Sequence, residues 1–353
     1  MPSSWPDAGS ARGTSDHQGT LQDGQCQPLI ATVTPNPAWD VTYEVPALHP
    51  GEVQRVTRVH RRLGGKGVNV ARVLHATGHD AVAIVPGPAG LAAEAGLSEA
   101  RVDMPTGRAG GAAGPWLACD VVPGLPAIRQ TLVIQGDDGI TTSLWEPGTE
   151  PDPGTGDALS DRVRAWLRPD GPARGLVVSG SLPPMLDASL PARLATLALG
   201  AAVPAVIDTS GEALHHAASV RGVILKPNAA ELAQLVGRGC RDLAETIGAA
   251  RTLLAGGPLA VVVTLGAGGL VAVTGDGTWH GRLAEPLAGN PTGAGDAAAA
   301  ALIAGLAAAA DWPQIVGDAV AASAAAVLSP IAGDVAPADI ARLRRHALVK
   351  EVA

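Results

Sequence analysis

From about residue 153 to residue 264 the chain repeats one pattern: a short apolar run, a turn, an amphipathic stretch of helical length, then another short apolar run. The runs are 175–179, Ala205–Asp208, 222–225 and 259–264. Between them, Leu159, Val163, Trp166 and Leu167, then Leu190, Leu194 and Leu197, then Leu243, Ile247 and Leu254 recur at helical spacing. Strands joined by helix-length crossovers pair in parallel and carry their helices on both faces. The pattern therefore predicts a three-layer α/β/α unit around a mostly parallel sheet, and 353 residues suffice for one large domain.

Upstream, Leu29–Val33 ends at Pro35-Asn36-Pro37 and predicts a buried first strand, with 81–85 as another. The pieces 41–45 and 52–59 alternate with polar partners, as strands covered on one face do. Segments 131–135 and 140–145 flank Gly136-Asp137-Asp138-Gly139, a hairpin signal. Together they predict a small separate β-sheet, a lid with strands near 41–60 and 130–146. Residues 86–126, rich in Gly, Ala and Pro, receive no assignment. Residues 271–274 and a segment around Trp279 predict late, antiparallel edge strands, followed by closing helices. Residues 1–28 are polar and rich in Ser and Gly, which predicts a disordered tail without the apolar core of a secretory signal ahead of a domain over 29–353.

Net charge is −8, with no basic cluster interleaved with aromatics, which argues against a nucleic-acid partner. Cys26, Cys119 and Cys240 lie far apart, without zinc or disulfide spacing, and suit a reducing, cytoplasmic setting. The most apolar run, 297–310, is too short to span a bilayer. Phe is absent, so the core must be packed largely from aliphatic side chains.

Ligands of open α/β sheets bind off the carboxyl ends of the strands. There the sequence places Asn36 and Asp40; Ser179-Gly180-Ser181; Asp208; Lys226-Pro227-Asn228 with Glu231; the turn from Thr264 through Gly266 and Gly268; and Asn290-Pro291-Thr292-Gly293-Ala294-Gly295-Asp296. The last is a glycine-rich turn that runs into alanines of high helix propensity, so a helix should begin within a residue or two of Gly295 and aim its N–H groups at an anion. Asp296 reads equally well as a first-turn acid that stabilises the helix dipole and as a general base beside an anion hole. Asn228 and Glu231 fit a capping box as well as a ligand site. Leu63-Gly64-Gly65-Lys66-Gly67 is a second glycine turn at a helix start, and Lys66 is a cation at its electropositive end. A P-loop is excluded because Gly67, not Ser or Thr, follows Lys66. No GxGxxG opens the first helix.

Gly64-Gly65-Lys66-Gly67-Val68-Asn69-Val70-Ala71-Arg72, Lys226-Pro227-Asn228-Ala229-Ala230-Glu231-Leu232 and Pro291 to Asp296, in this order, resemble the ribokinase-like (PfkB) carbohydrate kinases. Asn36-Pro37-Ala38-Trp39-Asp40, with the Gly-Lys-Gly form of the second motif, resembles the branch of 1-phosphofructokinases and tagatose-6-phosphate kinases. The resemblance implies the ribokinase-like fold and phosphorylation of a sugar phosphate by ATP with Mg²⁺. It implies Asp296 as general base, with the N–H groups of Gly293, Ala294 and Gly295 receiving the phosphoryl charge. Asp40 and Asn69 would hold sugar hydroxyls, Lys66 and Arg129 the substrate's phosphate, and Gly65 would also lie on the substrate side. Lys226, Asn228, Glu231, Thr264, Gly266 and Gly268 would form the nucleotide side, with Glu231 and Asn228 near Mg²⁺. The family usually carries Thr before the arginine, where this chain has Ile128. A homodimer through the lid is a further expectation.

Overall fold

The computed structural model describes residues 28–100, 117–168, 171–329, 331 and 333–353. The tail expected over 1–28 lies outside them, except for Pro28. Among the described residues, an eleven-stranded sheet runs β15-β14-β13-β12-β11-β10-β9-β1-β4-β6-β5. Its central strands are β1 (Leu29–Val33), β4 (Ala81–Gly87), β6 (Leu117–Pro123), β9 (Ala173–Ser179), β10 (Ala205–Asp208), β11 (Ile224–Leu225) and β12 (Ala260–Thr264), all parallel. The antiparallel edge consists of β13 (Leu270–Thr274), β14 (Thr278–Leu283) and β15 (Ala347–Glu351). At the other edge, β5 (Ser98–Glu99) follows α2 (Leu91–Glu94).

The helices divide between two faces. On one, α1 (Lys66–Ala76), α8 (Ala294–Ala307) and α9 (Trp312–Val327) bury Val70, Ala299, Leu302 and Val316 in one core with Ile30, Val177 and Val206. On the other, α3 (Thr155–Trp166), α4 (Leu190–Gly200) and α5 (Gly211–Ala218) cover Ala31, Val178 and Ile207. With no Phe, Trp166 is the largest side chain buried outright. Its Nε1 donates to buried Asp120 at 2.8 Å, so the indole's polar edge is satisfied. Next, α6 (Ala229–Val236) and α7 (Leu243–Leu254) complete a satellite core, and α10 (Pro337–Arg344) precedes β15.

The small sheet runs β3-β2-β7-β8, from β2 (Ala38–Val45), β3 (Arg58–Gly64), β7 (Arg129–Gly136) and β8 (Thr141–Trp145). The piece expected at 52–59 sits later in the chain, because pairing with Ala38 to Glu44 draws Arg58 to Gly64 into the ladder while 51–57 stay irregular. No helix among the described residues is long and apolar enough to cross a membrane.

Candidate active site

The site lies where the small sheet faces the carboxyl ends of the parallel strands, a cleft of about 850 Å³. β1 enters it through Asn36, whose Nδ2 donates to Pro147 O (3.0 Å) and Ser181 Oγ (3.4 Å), tying three loops together. The turn before α1 needs glycine: Gly65 has φ 94° and stands over Thr34 and Pro37. That turn sets Lys66 and Asn69 on the first turns of α1, both facing the cleft.

Asp208, at the end of β10, is fully buried and joins two ammonium groups. Lys66 Nζ lies 3.4 Å from Oδ1 and Lys226 Nζ 3.2 Å from Oδ2, with Ser179 Oγ donating to Oδ2 at 3.0 Å. Burial alone would raise the Asp208 carboxyl, but Lys226 and Lys66 outweigh it and hold the group below its ordinary range. Asp208 in turn holds the Lys66 ammonium firmly charged against its own burial. The sequence sets Asp208 at the carboxyl end of its strand. The structure places it in the cleft floor, while Ser210 stands at the N-cap of α5.

The turn that leads into α8 behaves as its glycines require. Gly293 takes φ 87°, and α8 begins at Ala294. Asn290 Oδ1 accepts from Thr292 N at 3.0 Å and rigidifies the entry. Asp296, 5% exposed, sits in the first turn of α8 and accepts from Asn69 Nδ2 at 3.3 Å. Burial pushes its carboxyl up to about 7, Asp208 adding to the effect while Lys66, Lys226 and the Asn69 bond oppose it. An acid tuned to neutrality at a helix start is poised to exchange protons. Ala294 N–H turns back onto Pro291 O at 3.2 Å, so Gly295 and Asp296 carry the first-turn N–H groups that remain by position.

Asn228 and Glu231 form the capping box in full. Glu231 N donates to Asn228 Oδ1 at 2.9 Å and Asn228 N to Glu231 Oε2 at 2.8 Å, while both residues line the cleft. Among the described residues no group of three His, Cys, Asp or Glu side chains could cage a metal by itself.

Asp40, Gly65, Lys66, Asn69, Arg129, Lys226, Asn228, Glu231, Thr264, Gly293, Gly295 and Asp296 all come together in this cleft. Gly266, Gly268 and Ala294 are not among its lining; Gly266 and Gly268 form a 3₁₀ turn after β12. Arg129 is engaged with backbone, its Nε donating to Asn36 O (3.4 Å) and Nη1 to Glu146 O (2.8 Å). Sequence reasoning passed over Thr131, which donates to Asp40 Oδ1 at 2.5 Å. Its signal was the two-residue spacing from Arg129, which puts both on one face of β7.

Fold and cleft define a phosphotransferase of the α/β class. A model described as pfkB family carbohydrate kinase matches residues 169–339. A 1-phosphofructokinase of Rhodobacter capsulatus is 37% identical over 278 residues, 78% of this chain and 82% of that one. An ATP-dependent 6-phosphofructokinase isozyme 2 of Mycobacterium tuberculosis is 31% identical over 285 residues, 79% of this chain and 78% of that one. The crystal structure of phosphofructokinase-2 from Escherichia coli superposes with a TM-score of 0.76 at 26% identity, covering 90% of this chain and 98% of that one. The chain belongs to the pfkB family of carbohydrate kinases.

Proposed function

We propose that the chain transfers the γ-phosphoryl group of ATP to a ketohexose phosphate, fructose 1-phosphate, yielding fructose 1,6-bisphosphate and ADP. The kinase reading is carried by buried Asp296, tuned towards neutrality at the start of α8. The choice of acceptor rests on the 37% identity to a 1-phosphofructokinase. Fructose 6-phosphate is the second acceptor, favoured by the 31% identity to a 6-phosphofructokinase, with tagatose 6-phosphate beside it.

In this reading Asp40 and Asn69 orient the sugar, and the Asp296 carboxylate accepts the proton of the attacking hydroxyl as its oxygen bonds to the γ-phosphorus. The bond from that phosphorus to the β-phosphate oxygen breaks, and ADP leaves. Phosphoryl transfer needs positioning and fixed charge more than covalent help. The N–H groups at the start of α8, with Lys226 beside Gly295, provide that charge without reorganisation. Lys66 stays charged because Asp208 is its counter-ion, and it suits an anionic acceptor. Thr264, Gly266 and Gly268 lie towards the nucleotide in the same reading.

Mg²⁺ fits this donor set. The cap uses Glu231 Oε2 and Asn228 Oδ1, and an ion that keeps several waters and phosphate oxygens needs only a carboxylate such as Glu231, with Asn228 beside it. When bound, it would neutralise charge on the phosphates.

ADP release measured over fructose 1-phosphate, fructose 6-phosphate, tagatose 6-phosphate and the free sugars tests the reading. The highest kcat/KM is expected with fructose 1-phosphate. Turnover of free sugars alone would sink it, and binding of ATP with no turnover anywhere would mark the chain as a sensor.

The same reading makes the chain a cytoplasmic homodimer joined through the lid, since Val59, Ile140 and Leu144 stand exposed there. Sedimentation should give a dimer that Leu144→Lys weakens; a wild-type monomer at micromolar concentration would remove this part.

A further inference from the structure

Four side chains from four elements form one hydrogen-bonded chain from the small sheet to the start of α8. Thr131 Oγ1, on β7, donates to Asp40 Oδ1, on β2, at 2.5 Å. Asp40 Oδ2 accepts from Asn69 Nδ2, on α1, at 3.4 Å. The same nitrogen donates to Asp296 Oδ2, on α8, at 3.3 Å. An amide nitrogen carries two hydrogens, so each carboxylate can take one.

The Asn69 amide has little freedom to choose otherwise. Reversing it would turn its oxygen towards two carboxylates, and an oxygen there has no proton to offer. Its Oδ1 faces the other way and has no hydrogen-bond partner among the described residues. The Asn69 side chain lies close over Gly333, where a Cβ would come within 2.6 Å of Asn69 Cβ, so only glycine fits there. Asn69 is 4% exposed, and a buried amide with both its hydrogens directed is held by the acceptors it serves. One acceptor, Asp40, is in turn fixed by Thr131. The Thr131 proton is already given to Asp40 at a short distance, so this hydroxyl acts through Asp40.

We propose that Thr131 is a positioning residue for phosphoryl transfer: through Asp40 and Asn69 it sets the orientation of the Asp296 carboxylate, so that the seating of the small sheet is part of the alignment of the base. The inference rests on the reading of Asp296 as general base. It accounts for a polar residue in mid-strand on β7 that contacts the core of the site without any place in the family motifs seen in the sequence.

The charged groups that face Asp296 are Lys66 from α1, Asp208 from β10 and Lys226 from beyond β11. Thr131 hydrogen-bonds to none of these; its side-chain bond goes to Asp40. The Asn69 bond draws the Asp296 carboxyl down, so a slack Asn69 should let burial carry it higher.

The test compares Thr131→Val, nearly the same shape without the donor, with Thr131→Ser, which keeps it. With whichever acceptor is turned over, the valine variant should lose roughly 10- to 100-fold in kcat, the scale of a small misplacement of a catalytic group. KM for ATP should stay unchanged and the acid limb of kcat/KM should move to higher pH, while the serine variant restores both. A second readout needs no turnover: the Asp296 carboxyl ¹³C resonance, assigned by its absence in Asp296→Asn, is titrated in each variant. Its midpoint should rise with valine and return with serine. An unmoved midpoint with valine, a loss that serine does not recover, or a rise in sugar KM alone with kcat and profile intact would overturn the proposal. If no acceptor in the panel is phosphorylated, the kinase reading falls while the titration still decides whether Thr131 sets Asp296.

Discussion

Asp296→Asn should lower kcat by about 10²–10⁴-fold and at the same time make the protein more stable at pH 8. The first effect follows if Asp296 is the base. Asparagine preserves the shape and can still meet Asn69 after a rotation, yet it cannot take a proton. The second follows from linkage. In the unfolded chain the group titrates near 3.8, whereas in the fold burial raises it to about 7. A raised acid contributes stability that is fully present below the unfolded value and is lost as pH rises through the folded one. Keeping Asp296 ionised at pH 8 therefore costs the wild type on the order of a few kcal/mol, a cost the variant lacks. The gain in melting temperature should shrink as pH falls from 8 to 4. In the wild type, kcat/KM should fall as pH drops below about 7. A variant that is inactive but no more stable at pH 8 than the wild type would refute a base strained by burial.

Asp208→Ala should be the most damaging single change to stability in the site, at about 3–5 kcal/mol. Asp208 is the shared counter-ion of Lys226, whose side chain is 4% exposed, and of Lys66, at 43%. Lys66 can turn to water, but Lys226 would be left charged in the interior. The pH dependence has the opposite sign to that of Asp296. The Asp208 carboxyl is held below its ordinary range, so its contribution is present above the unfolded value and fades as acid protonates it. Urea unfolding at pH 7 and pH 3 should show the deficit narrowing in acid. Asp208→Ala with Lys226→Met should recover much of the loss, since well-packed apolar groups replace a buried ion pair at little cost. A single variant within 1 kcal/mol of wild type would mean that water already serves Lys226.

Much of this was legible because single residues announce it. Leu29–Val33 and Ala205–Asp208 are strands to the residue, since each is a short, mostly apolar run stopped by a turn or a polar group. The start of α8 was legible from glycine chemistry at Gly293. β3 was misplaced because Arg58, Arg61 and Arg62 carry no strand signal of their own; their conformation comes from pairing with β2. β15 was missed for the same reason, as Ala347 to Glu351 gains its form from β14. Within 86–126, α2, β5 and β6 were hidden by Ala and Gly, which have little periodicity to show, and 101–116 lie outside the described residues. In the site, residues directly after strands could be found by position alone. The double role of Asp208 could not, because Lys66 is 142 positions away and no local pattern reports such a pairing. Thr131 escaped because a threonine in a strand has an ordinary reason to be there.

The two faces of the large sheet differ in when their covers arrive. One face is closed by α3, α4 and α5, which are complete by Ala218. The other holds Val177 and Val206 under α8, which comes from the last fifth of the chain. At synthesis rates of about 5–20 residues per second, Val206 waits several seconds at least for α8 to leave the ribosome. During that interval a nascent chain presents a half-roofed parallel sheet, with aliphatic side chains in water and Asp296 not yet made. The burden of this fold thus falls on its birth: holding such an intermediate apart from its neighbours is work for chaperones, and slowing translation ahead of α8 would lengthen the exposure.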